Sequence, residues 1–212
     1  MKLYTYYQSS ASYRVRIALN LKNLTPEMEY VNLAKGEQKQ PSYGAVNPQG
    51  YVPAFIDKGQ TLNQSLAIME YLEESYPNPP ILPKAPFARA HARALAQVIA
   101  CDTSPIGNLK IRKYLEDEMS QSADAVESWM RHWIEEGLAA YEALLTDSSY
   151  TGLFSAGDAP SIADCCLMPQ IFNAHRWKCP LAPYPLISRI VESCEKHPAF
   201  AAAHPSRQKD AV

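Results

Sequence analysis

Clustered prolines divide this chain of 212 residues into two parts that fold differently. Between Tyr76 and Phe87 lie Pro77, Pro79, Pro80, Pro83 and Pro86. Because proline lacks a backbone N–H and holds φ at about −65°, neither a regular helix nor a central strand can pass through such a segment. The sequence therefore predicts a stiff linker between two domains.

The part before the prolines alternates strand and helix patterns. Residues 3–7 form an aromatic run that predicts a buried strand, a helical apolar pattern follows, and residues 28–33 predict a second strand. A strand–helix–strand unit of this length is typical of a right-handed crossover between parallel strands. Residues 51–63 then predict a β-hairpin, and an amphipathic helix follows it.

The part after the prolines has the apolar periodicity of helices throughout. We expect helices over residues 87–115, over residues 124–145, from the capping-box sequence Ser161-Ile162-Ala163-Asp164 onward, and from Tyr184-Pro185 to just before Pro198.

Composition and charge exclude several classes of protein. With 20 basic and 22 acidic residues the net charge is −2, which argues against a nucleic acid or an anionic membrane as partner. No apolar run is long enough to cross a bilayer, and the five cysteines have no C-x-x-C spacing. We therefore expect a cytoplasmic protein without disulfides. The five histidines show no metal-ligand spacing, so no metal is expected.

Three hydroxyl side chains, Ser9, Ser10 and Ser12, lie where the first strand meets the first helix. Unpaired backbone N–H groups and the positive end of the helix dipole favour an anion at such a junction. A hydroxyl that donates to a bound thiolate there would lower the pKa of the thiol. The same serines could be ordinary N-caps. Arg14 and Arg16 lie in the first turns, where the dipole disfavours cations, so other groups are expected to hold them.

Two further junctions could present backbone groups to a ligand. At Val52-Pro53 a cis bond would turn the backbone of Val52 outward to pair with a peptide-like ligand, whereas the commoner trans bond would mark a plain edge strand. At Gln64-Ser65 backbone N–H groups and the Ser65 hydroxyl could bind a carboxylate, and Gln64 could hold an ammonium or amide. Ser65 could also be only an N-cap.

Arg176 is a candidate for substrate contact near the end of the third helix of the second part. Its guanidinium could bind a carboxylate through two parallel hydrogen bonds. It could equally bind the last carbonyl groups of its own helix.

Together these segments resemble the zeta class of the glutathione transferase superfamily, the maleylacetoacetate and maleylpyruvate isomerases. Residues 9–19 match the class signature S-S-C-S-x-R-V-R-I-A-L with one change. Other matches follow in the family's order and spacing, at Asn47-Pro48, Val52-Pro53, residues 63–68, residues 163–170 and residues 183–185. The resemblance covers essentially the whole chain.

The resemblance implies the glutathione transferase fold: an α/β thioredoxin-like N-terminal domain (residues 1–82), a proline-rich linker (83–87) and an all-α C-terminal domain (88–212). It also implies a homodimer with glutathione as cofactor. The positions that it assigns to glutathione are Ser9, Ser10 and Ala11 near the sulfur, Gln38 at the glycyl end, Val52 and cis-Pro53 at the cysteinyl backbone, Gln64 and Ser65 at the γ-glutamyl end, and Ser104 and Asn108 in the cleft. The catalytic hydroxyls would be those of Ser9, Ser10 and Ser12.

On the substrate side, the resemblance implies that Gln8, Lys110 and Arg176 face a keto-dicarboxylate. Three positions depart from the class pattern, and one of them is Ser104, where a larger polar residue (Gln or His) is common. Ala11 replaces the usual cysteine, so a thiol is not needed there. Gln8 stands where the isomerases often carry an arginine. The absence of that arginine removes a charge-assisted contact worth about 1.5–3 kcal/mol. Lys110 could substitute for the missing cation.

The activity that the resemblance implies is glutathione-dependent cis–trans isomerisation of maleylacetoacetate or maleylpyruvate, in aromatic and tyrosine catabolism. Thiolate addition makes the double bond single, rotation follows, and the thiolate leaves. Two alternatives are a glutathione transferase of the same class that conjugates or dehalogenates another electrophile, and a non-catalytic glutathione-binding module.

Overall fold

The computed structural model describes residues 1–211, so Val212, the last residue of the predicted second domain, lies outside them. The chain divides into two compact units. The first comprises residues 1–81 and the stretch from Glu195 onward, and the second comprises Leu82–Cys194. The final stretch therefore belongs to the first compact unit. The predicted limits follow chain order and stay predictions: a first domain over residues 1–82, a linker over 83–87 and a second domain over 88–212.

The first unit is built on a four-stranded mixed sheet with the order β2-β1-β3-β4. Its strands are β1 (Lys2–Thr5), β2 (Glu27–Tyr30), β3 (Ala54–Asp57) and β4 (Gln60–Asn63). β1 and β2 are parallel, whereas β3 is antiparallel to both β1 and β4. The predicted parallel pairing of the first two strands and the hairpin are thus confirmed, as is the thioredoxin-like fold. Lys58 and Gly59, with φ of 51° and 78°, turn the hairpin as a two-residue loop of this kind requires.

Helices make up most of the remainder of both units. In chain order they are α1 (Ser10–Leu21), α2 (Pro41–Gly44), α3 (Ser65–Ser75), α4 (Pro86–Gln97), α5 (Leu109–Lys113), α6 (Ala123–Thr146), α7 (Ile162–Arg176), α8 (Pro185–Lys196) and α9 (Pro198–Ala203). Within the first unit α1 packs against α3 and α9.

A buried ion pair fixes the start of the proline-rich segment to the first unit. Lys22 Nζ lies 2.8 Å from Glu73 Oε2 and also donates to the carbonyl oxygens of Tyr76 and Pro79, at 2.8 and 3.0 Å. The same carboxylate oxygen of Glu73 accepts from the backbone N–H of Ile81 at 2.9 Å. The proline-rich chain is therefore anchored by charged side chains as well as stiffened by its own rings.

The single helix predicted over residues 87–115 is wrong. α4 ends at Gln97, a wider helical turn covers Val98–Thr103, and α5 begins only at Leu109. The intervening residues include Pro105 and Gly107, which disfavour a continuous helix.

Polar contacts stabilise this break between α4 and α5. Asn108 is the N-cap of α5, and its side-chain oxygen accepts from the backbone N–H of Ile111 at 3.0 Å. The indole N–H of Trp129 donates to the carbonyl oxygen of Ile106 at 3.1 Å. The backbone between the helices is thus ordered rather than frayed.

The other helices of the second unit agree with the sequence. α6 covers the predicted residues 124–145, and α8 ends before Pro198. At the start of α7 the predicted capping box is present: the side chain of Ser161 accepts from the helix, and Asp164 accepts from the backbone N–H of Ser161 at 2.8 Å. Asp164 is fully buried and also accepts from the N–H of Ser155.

Candidate functional site

The turn between β1 and α1 is held by side chains that lie outside it. β1 ends at Thr5, two residues earlier than predicted, because the next two carbonyl groups accept from Arg16 rather than from a neighbouring strand. Arg16 donates to the carbonyl oxygens of Tyr6 and Tyr7 at 3.3 and 3.1 Å. The backbone N–H of Ser9 donates to the Tyr6 carbonyl at 3.0 Å. The entry to α1 is therefore a fixed turn.

Ser9 is the N-cap of α1, as one of the two interpretations expected. Its hydroxyl oxygen accepts from the backbone N–H of Ser12 at 3.2 Å. Capping uses a lone pair and leaves the hydroxyl proton available, and none of the described atoms accepts that proton. Ser9 can therefore cap the helix and donate to an anion at the same time.

The neighbouring candidates of the same signature differ in burial. Ser10 is the first residue of α1, and Ala11 and Gln8 are half-buried. The side chain of Ser12 is fully buried, and its Oγ has no hydrogen-bond partner among the described residues. Of these hydroxyls, that of Ser12 lies furthest from solvent, and its backbone N–H is the group that contacts Ser9.

The structure identifies the groups that hold the two arginines of α1. Arg16 is 2% exposed and makes four hydrogen bonds, to Thr5 Oγ1 and to the carbonyl oxygens of Tyr6, Tyr7 and Ala203. Burial lowers the pKa of Arg16 to about 10, which leaves the side chain charged at neutral pH. Arg14, also buried, donates from Nη1 to the hydroxyl oxygen of Ser65 at 3.2 Å.

The junction of β4 and α3 places Gln64 in a strained backbone conformation. Its φ of 71° and ψ of 118° lie in a sparsely populated region for a residue with a side chain. Gln64 is the N-cap of α3, so the interpretation of Ser65 as that cap is wrong. Ser65 is instead the first helical residue, buried and in contact with Arg14. The Gln64 side chain donates to Gln49 Oε1 at 2.9 Å.

The Val52-Pro53 bond is cis, the alternative under which Val52 would turn outward. The side chain of Val52 belongs to a buried apolar cluster with Tyr6, Val31 and Tyr43. The preceding carbonyl, that of Tyr51, accepts from the Tyr43 hydroxyl at 2.6 Å, and also from Asn47. The backbone ahead of the cis bond is thus fixed from the protein side.

Gln38 lies in the short 3₁₀ turn Glu37–Lys39, ahead of α2. Its Nε2 donates to the Leu33 carbonyl at 3.4 Å, while its Oε1 is buried with no hydrogen-bond partner among the described residues. A buried acceptor without a donor is costly, which favours a ligand N–H at this place. Gly50, with φ of 65°, brings its backbone close to Gln38: a Cβ there would lie 3.2 Å from the Gln38 carbonyl oxygen.

In the second unit, the predicted residues lie along the break between α4 and α5 and on α5. Ser104 and Asn108 are half-buried at either end of the break, and the Asn108 side chain is occupied by capping α5. Lys110 is exposed on α5.

Two guanidinium groups lie against one indole ring in this unit. The central carbons of Arg112 and Arg176 are 5.6 and 6.0 Å from the centroid of Trp177. Burial and the charge of Arg176 lower the pKa of Arg112. Within the described chain neither side chain has a carboxylate at ion-pair distance, and Arg176 lies on the indole rather than on the last carbonyls of α7. The charge of Glu116 offsets part of the positive charge of Arg112, and two cations held on one ring still favour an anionic ligand.

Sequence reasoning missed Arg112. It considered only Lys110 among the basic residues of 110–113. Arg112 and Arg176 both lie against the ring of Trp177, and no spacing in the sequence reveals that shared contact.

Neither a membrane-spanning helix nor a metal cluster is present among the residues that the structure describes. No helix among them is long and apolar enough to span a membrane. Among the same residues, no group of three His, Cys, Asp or Glu side chains could hold a metal ion.

Comparison with known proteins gives close similarity over the whole chain. Residues 3–80 match the family described as glutathione S-transferase, N-terminal domain. The maleylacetoacetate isomerase of Pseudomonas aeruginosa is 45% identical over 213 aligned residues, which cover 99% of this chain and 98% of that protein.

Solved structures are equally similar. A holo structure of maleyl pyruvate isomerase, described as a bacterial glutathione S-transferase in zeta class, superposes with a TM-score of 0.97 at 43% identity over the whole of both chains. A maleylacetoacetate isomerase of Methylobacterium extorquens AM1 with bound malonate and GSH gives a TM-score of 0.97 at 41% identity, also with full coverage of both chains. The similarity therefore includes both units.

Proposed function

The chain belongs to the zeta class of glutathione S-transferases, and on that basis we propose that it is a glutathione-dependent cis–trans isomerase of maleylacetoacetate or maleylpyruvate in aromatic and tyrosine catabolism. Relatives named for each of these substrates are 45% and 43% identical to it over nearly their full length. The observation that carries the proposal is Ser9, which caps α1 through its oxygen and keeps its proton for an anion.

The residues of the first unit fit glutathione. The chemistry that glutathione supplies when bound is reversible addition of its sulfur to the alkene, which turns the double bond into a rotatable single bond. Ser9 and Ser10 donate hydrogen bonds to the sulfur, and the N-terminus of α1 adds the positive end of its dipole. Both effects stabilise the thiolate and so lower the pKa of the thiol. Ser12 contributes its backbone N–H, which orients Ser9. Ala11, whose side chain has no polar group, lies next to the sulfur.

The rest of the tripeptide is held by backbone and amide groups. Val52 pairs with the cysteinyl backbone ahead of cis-Pro53, and Ser65 with Gln64 binds the γ-glutamyl end. The contact from Arg14 supports this role for Ser65, because a cation beside the hydroxyl favours a carboxylate. Gln38 accepts at the glycyl end, and its unpartnered buried Oε1 supports that assignment.

A keto-dicarboxylate needs cations, which the second unit supplies. Arg176 and Arg112 bind a carboxylate, and Lys110 adds to the positive potential. Ser104 and Asn108 add polar groups in the same unit. Gln8 donates an amide N–H to the substrate in place of a cation. Carboxylates bound by these cations would hold the keto acid in one orientation, which favours reaction over free tumbling.

The test is an absorbance assay with reduced glutathione and maleylacetone or maleylpyruvate, in which free thiol is measured in parallel. We expect the trans product to form while the glutathione concentration stays constant. Consumption of one glutathione per turnover would instead indicate the transferase alternative, which the neutral Gln8 favours. Glutathione binding without turnover of any electrophile would indicate a binding module.

We also propose a homodimer that works in the cytoplasm. All five cysteines are thiols, and four of them are buried, which suits a reducing compartment. The dimer rests on the resemblance to the zeta class. Sedimentation of the purified protein at micromolar concentration tests it: a species of twice the 23.6 kDa chain mass is expected, and a monomer would contradict it.

A further inference from the structure

The segment that follows α9, residues 204–210, is tied to the turn that precedes Ser9. Asp210 Oδ2 accepts a hydrogen bond of 2.9 Å from the backbone N–H of Tyr7, although the two residues are 203 positions apart in sequence. The carbonyl oxygen of Tyr7 accepts from Arg16 Nη2 at 3.1 Å. Both backbone polar groups of Tyr7 are therefore held by charged side chains from outside the turn.

Arg16 connects the same turn to the end of α9. Its Nε donates to the carbonyl oxygen of Ala203 at 3.2 Å, and its Nη1 donates to the carbonyl oxygen of Tyr6. Arg16 and Asp210 also interact electrostatically, so the two charges compensate each other within this cluster. The last part of the described chain thus forms one polar network with the entry to α1.

The network reaches Ser9 through a shared acceptor. The carbonyl oxygen of Tyr6 accepts both from Arg16 and from the backbone N–H of Ser9, at 3.3 and 3.0 Å. A shift of Tyr7 would therefore move Ser9, which is two residues further on. Displacements of about 1 Å in a reacting group can cost on the order of a hundredfold in rate.

We propose that Asp210 is a positioning residue for the isomerisation: by holding the N–H of Tyr7, it fixes the Ser9 hydroxyl where it donates to the sulfur of glutathione. The inference rests on the proposed function. It gives a role in this reaction to residues 204–210, a segment that contains none of the predicted site residues.

The hydrogen bonding of Asp210 argues against a purely stabilising role. Its second carboxylate oxygen, Oδ1, is buried and has no hydrogen-bond partner among the described residues. A buried carboxylate oxygen without a donor costs free energy, which offsets part of the stabilisation that the charge of Asp210 gives beside Arg16. The other oxygen, Oδ2, accepts from the backbone N–H of Tyr7, in the turn that precedes Ser9.

The test compares Asp210→Ala with Asp210→Asn, whose amide oxygen can still accept from Tyr7. For each variant, kcat, both KM values and the pKa of the bound glutathione thiol are measured, the last from the ultraviolet absorbance of the thiolate. We expect D210A to lower kcat about tenfold. The pKa of the bound thiol should rise by about one unit, which corresponds to a tenfold smaller ratio of thiolate to thiol. The KM for the keto acid should change less than about twofold. D210N should stay within about twofold of the wild type in every parameter, because it keeps the hydrogen bond.

The control is Lys209→Ala, a change at the adjacent exposed position. K209A should match the wild type. A D210A variant that melts at lower temperature but keeps the wild-type thiol pKa and kcat would contradict the proposal, as would a D210N variant as impaired as D210A. If D210A does not fold, Asp210→Glu moves the acceptor by one methylene, and an unchanged thiol pKa there contradicts the proposal too. A wild-type protein that does not bind glutathione in calorimetry would instead overturn the proposed function, and this inference with it.

Discussion

Arg14 Nη1 donates a hydrogen bond of 3.2 Å to the hydroxyl oxygen of Ser65, so a buried cation of α1 meets the first residue of α3. Because the Ser65 oxygen acts as the acceptor, its own proton is available to a ligand. The positive charge of Arg14 makes a carboxylate the favoured acceptor of that proton. The contact links two junctions that are separate in sequence into one anion-binding arrangement.

Removing this hydroxyl with Ser65→Ala should weaken glutathione binding about tenfold. A hydrogen bond to a charged group contributes about 1.5–3 kcal/mol, and a factor of ten in affinity corresponds to about 1.4 kcal/mol. Calorimetric titration with reduced glutathione measures the effect, and kcat at saturating glutathione should change less than about twofold. Ser75→Ala, at the exposed far end of the same helix, is the matched control. An S65A variant with wild-type affinity would show that Ser65 does not bind the tripeptide.

The ion pair of Lys22 and Glu73 should be important for stability. Their side chains are 0% and 7% exposed, so Lys22→Met removes a buried cation that lies 2.8 Å from the Glu73 carboxylate. Loss of one partner of such a pair costs about 3–5 kcal/mol in the free energy of unfolding. Urea denaturation measures this loss.

A surface pair provides the comparison. Arg131 and Glu127 lie 2.7 Å apart on α6 with about two fifths of each side chain exposed, and Glu127→Gln should cost less than about 1 kcal/mol. Equal losses for K22M and E127Q would contradict the importance given to the buried pair.

Local patterns in the sequence were enough to predict several elements. The Ser161–Asp164 spacing predicts the start of α7, because a capping box involves only neighbouring residues. The Asp57–Gln60 turn predicts the β3–β4 hairpin for the same reason, since a glycine there permits the positive φ that the turn needs.

Contacts between distant residues could not be predicted in this way. The apolar period continues through residues 98–115 and predicts one helix, whereas Pro105 and Gly107 interrupt it in the structure. The partners of Arg14 and Arg16 and the contact between Asp210 and Tyr7 depend on tertiary packing. The candidate site was therefore predicted where it consists of local motifs, and missed where it depends on groups that approach from elsewhere.

His204 should make stability depend on pH. Burial lowers the pKa of His204 below its usual 6.5. The charges of Arg16 and Arg207 lower this pKa further, and the charge of Glu195 opposes them. As pH falls, the unfolded chain takes up this proton first, so the free energy of unfolding decreases as pH drops through 6.5 toward the lower folded value. The ring nitrogen Nδ1 accepts from the backbone N–H of Ser206, which fits a neutral ring in the fold.

The comparison with His204→Asn isolates this contribution. The amide oxygen of asparagine can still accept from Ser206 but does not titrate. Urea denaturation is measured at pH 7.5 and pH 5.5, about one unit either side of 6.5. The free energy of unfolding should decrease less between these two pH values for H204N than for the wild type. Parallel pH dependence in the two proteins would show that His204 is not responsible.

Arg112 should contribute to binding of the keto acid and not of glutathione. Arg112→Gln keeps much of the side chain against Trp177 but removes the charge. We expect the KM for the keto acid to rise about tenfold, as for Arg176→Gln, while the affinity for glutathione stays unchanged. Steady-state kinetics with maleylacetone measures both variants.

The double variant tests whether the two arginines act on one carboxylate. If they do, R112Q/R176Q should be less impaired than the product of the two single effects, because each depends on the other. Lys113→Gln, an adjacent exposed cation, is the control and should leave KM within about twofold. A KM for R112Q equal to that of the wild type would exclude Arg112 from the substrate site.

The most direct measurement is a pH titration of glutathione bound to the wild-type protein and to Ser9→Ala, followed by the ultraviolet absorbance of the thiolate. An ordinary cysteine thiol has a pKa of about 8.5, and in the wild type we expect the bound thiol to titrate at least about one unit lower than free glutathione. S9A should raise it part of the way toward the free value, because one donating hydroxyl is gone while Ser10 and the dipole of α1 remain. A bound thiol that titrates at the same pH as free glutathione, or a depressed pKa that is unchanged in S9A, would contradict the account.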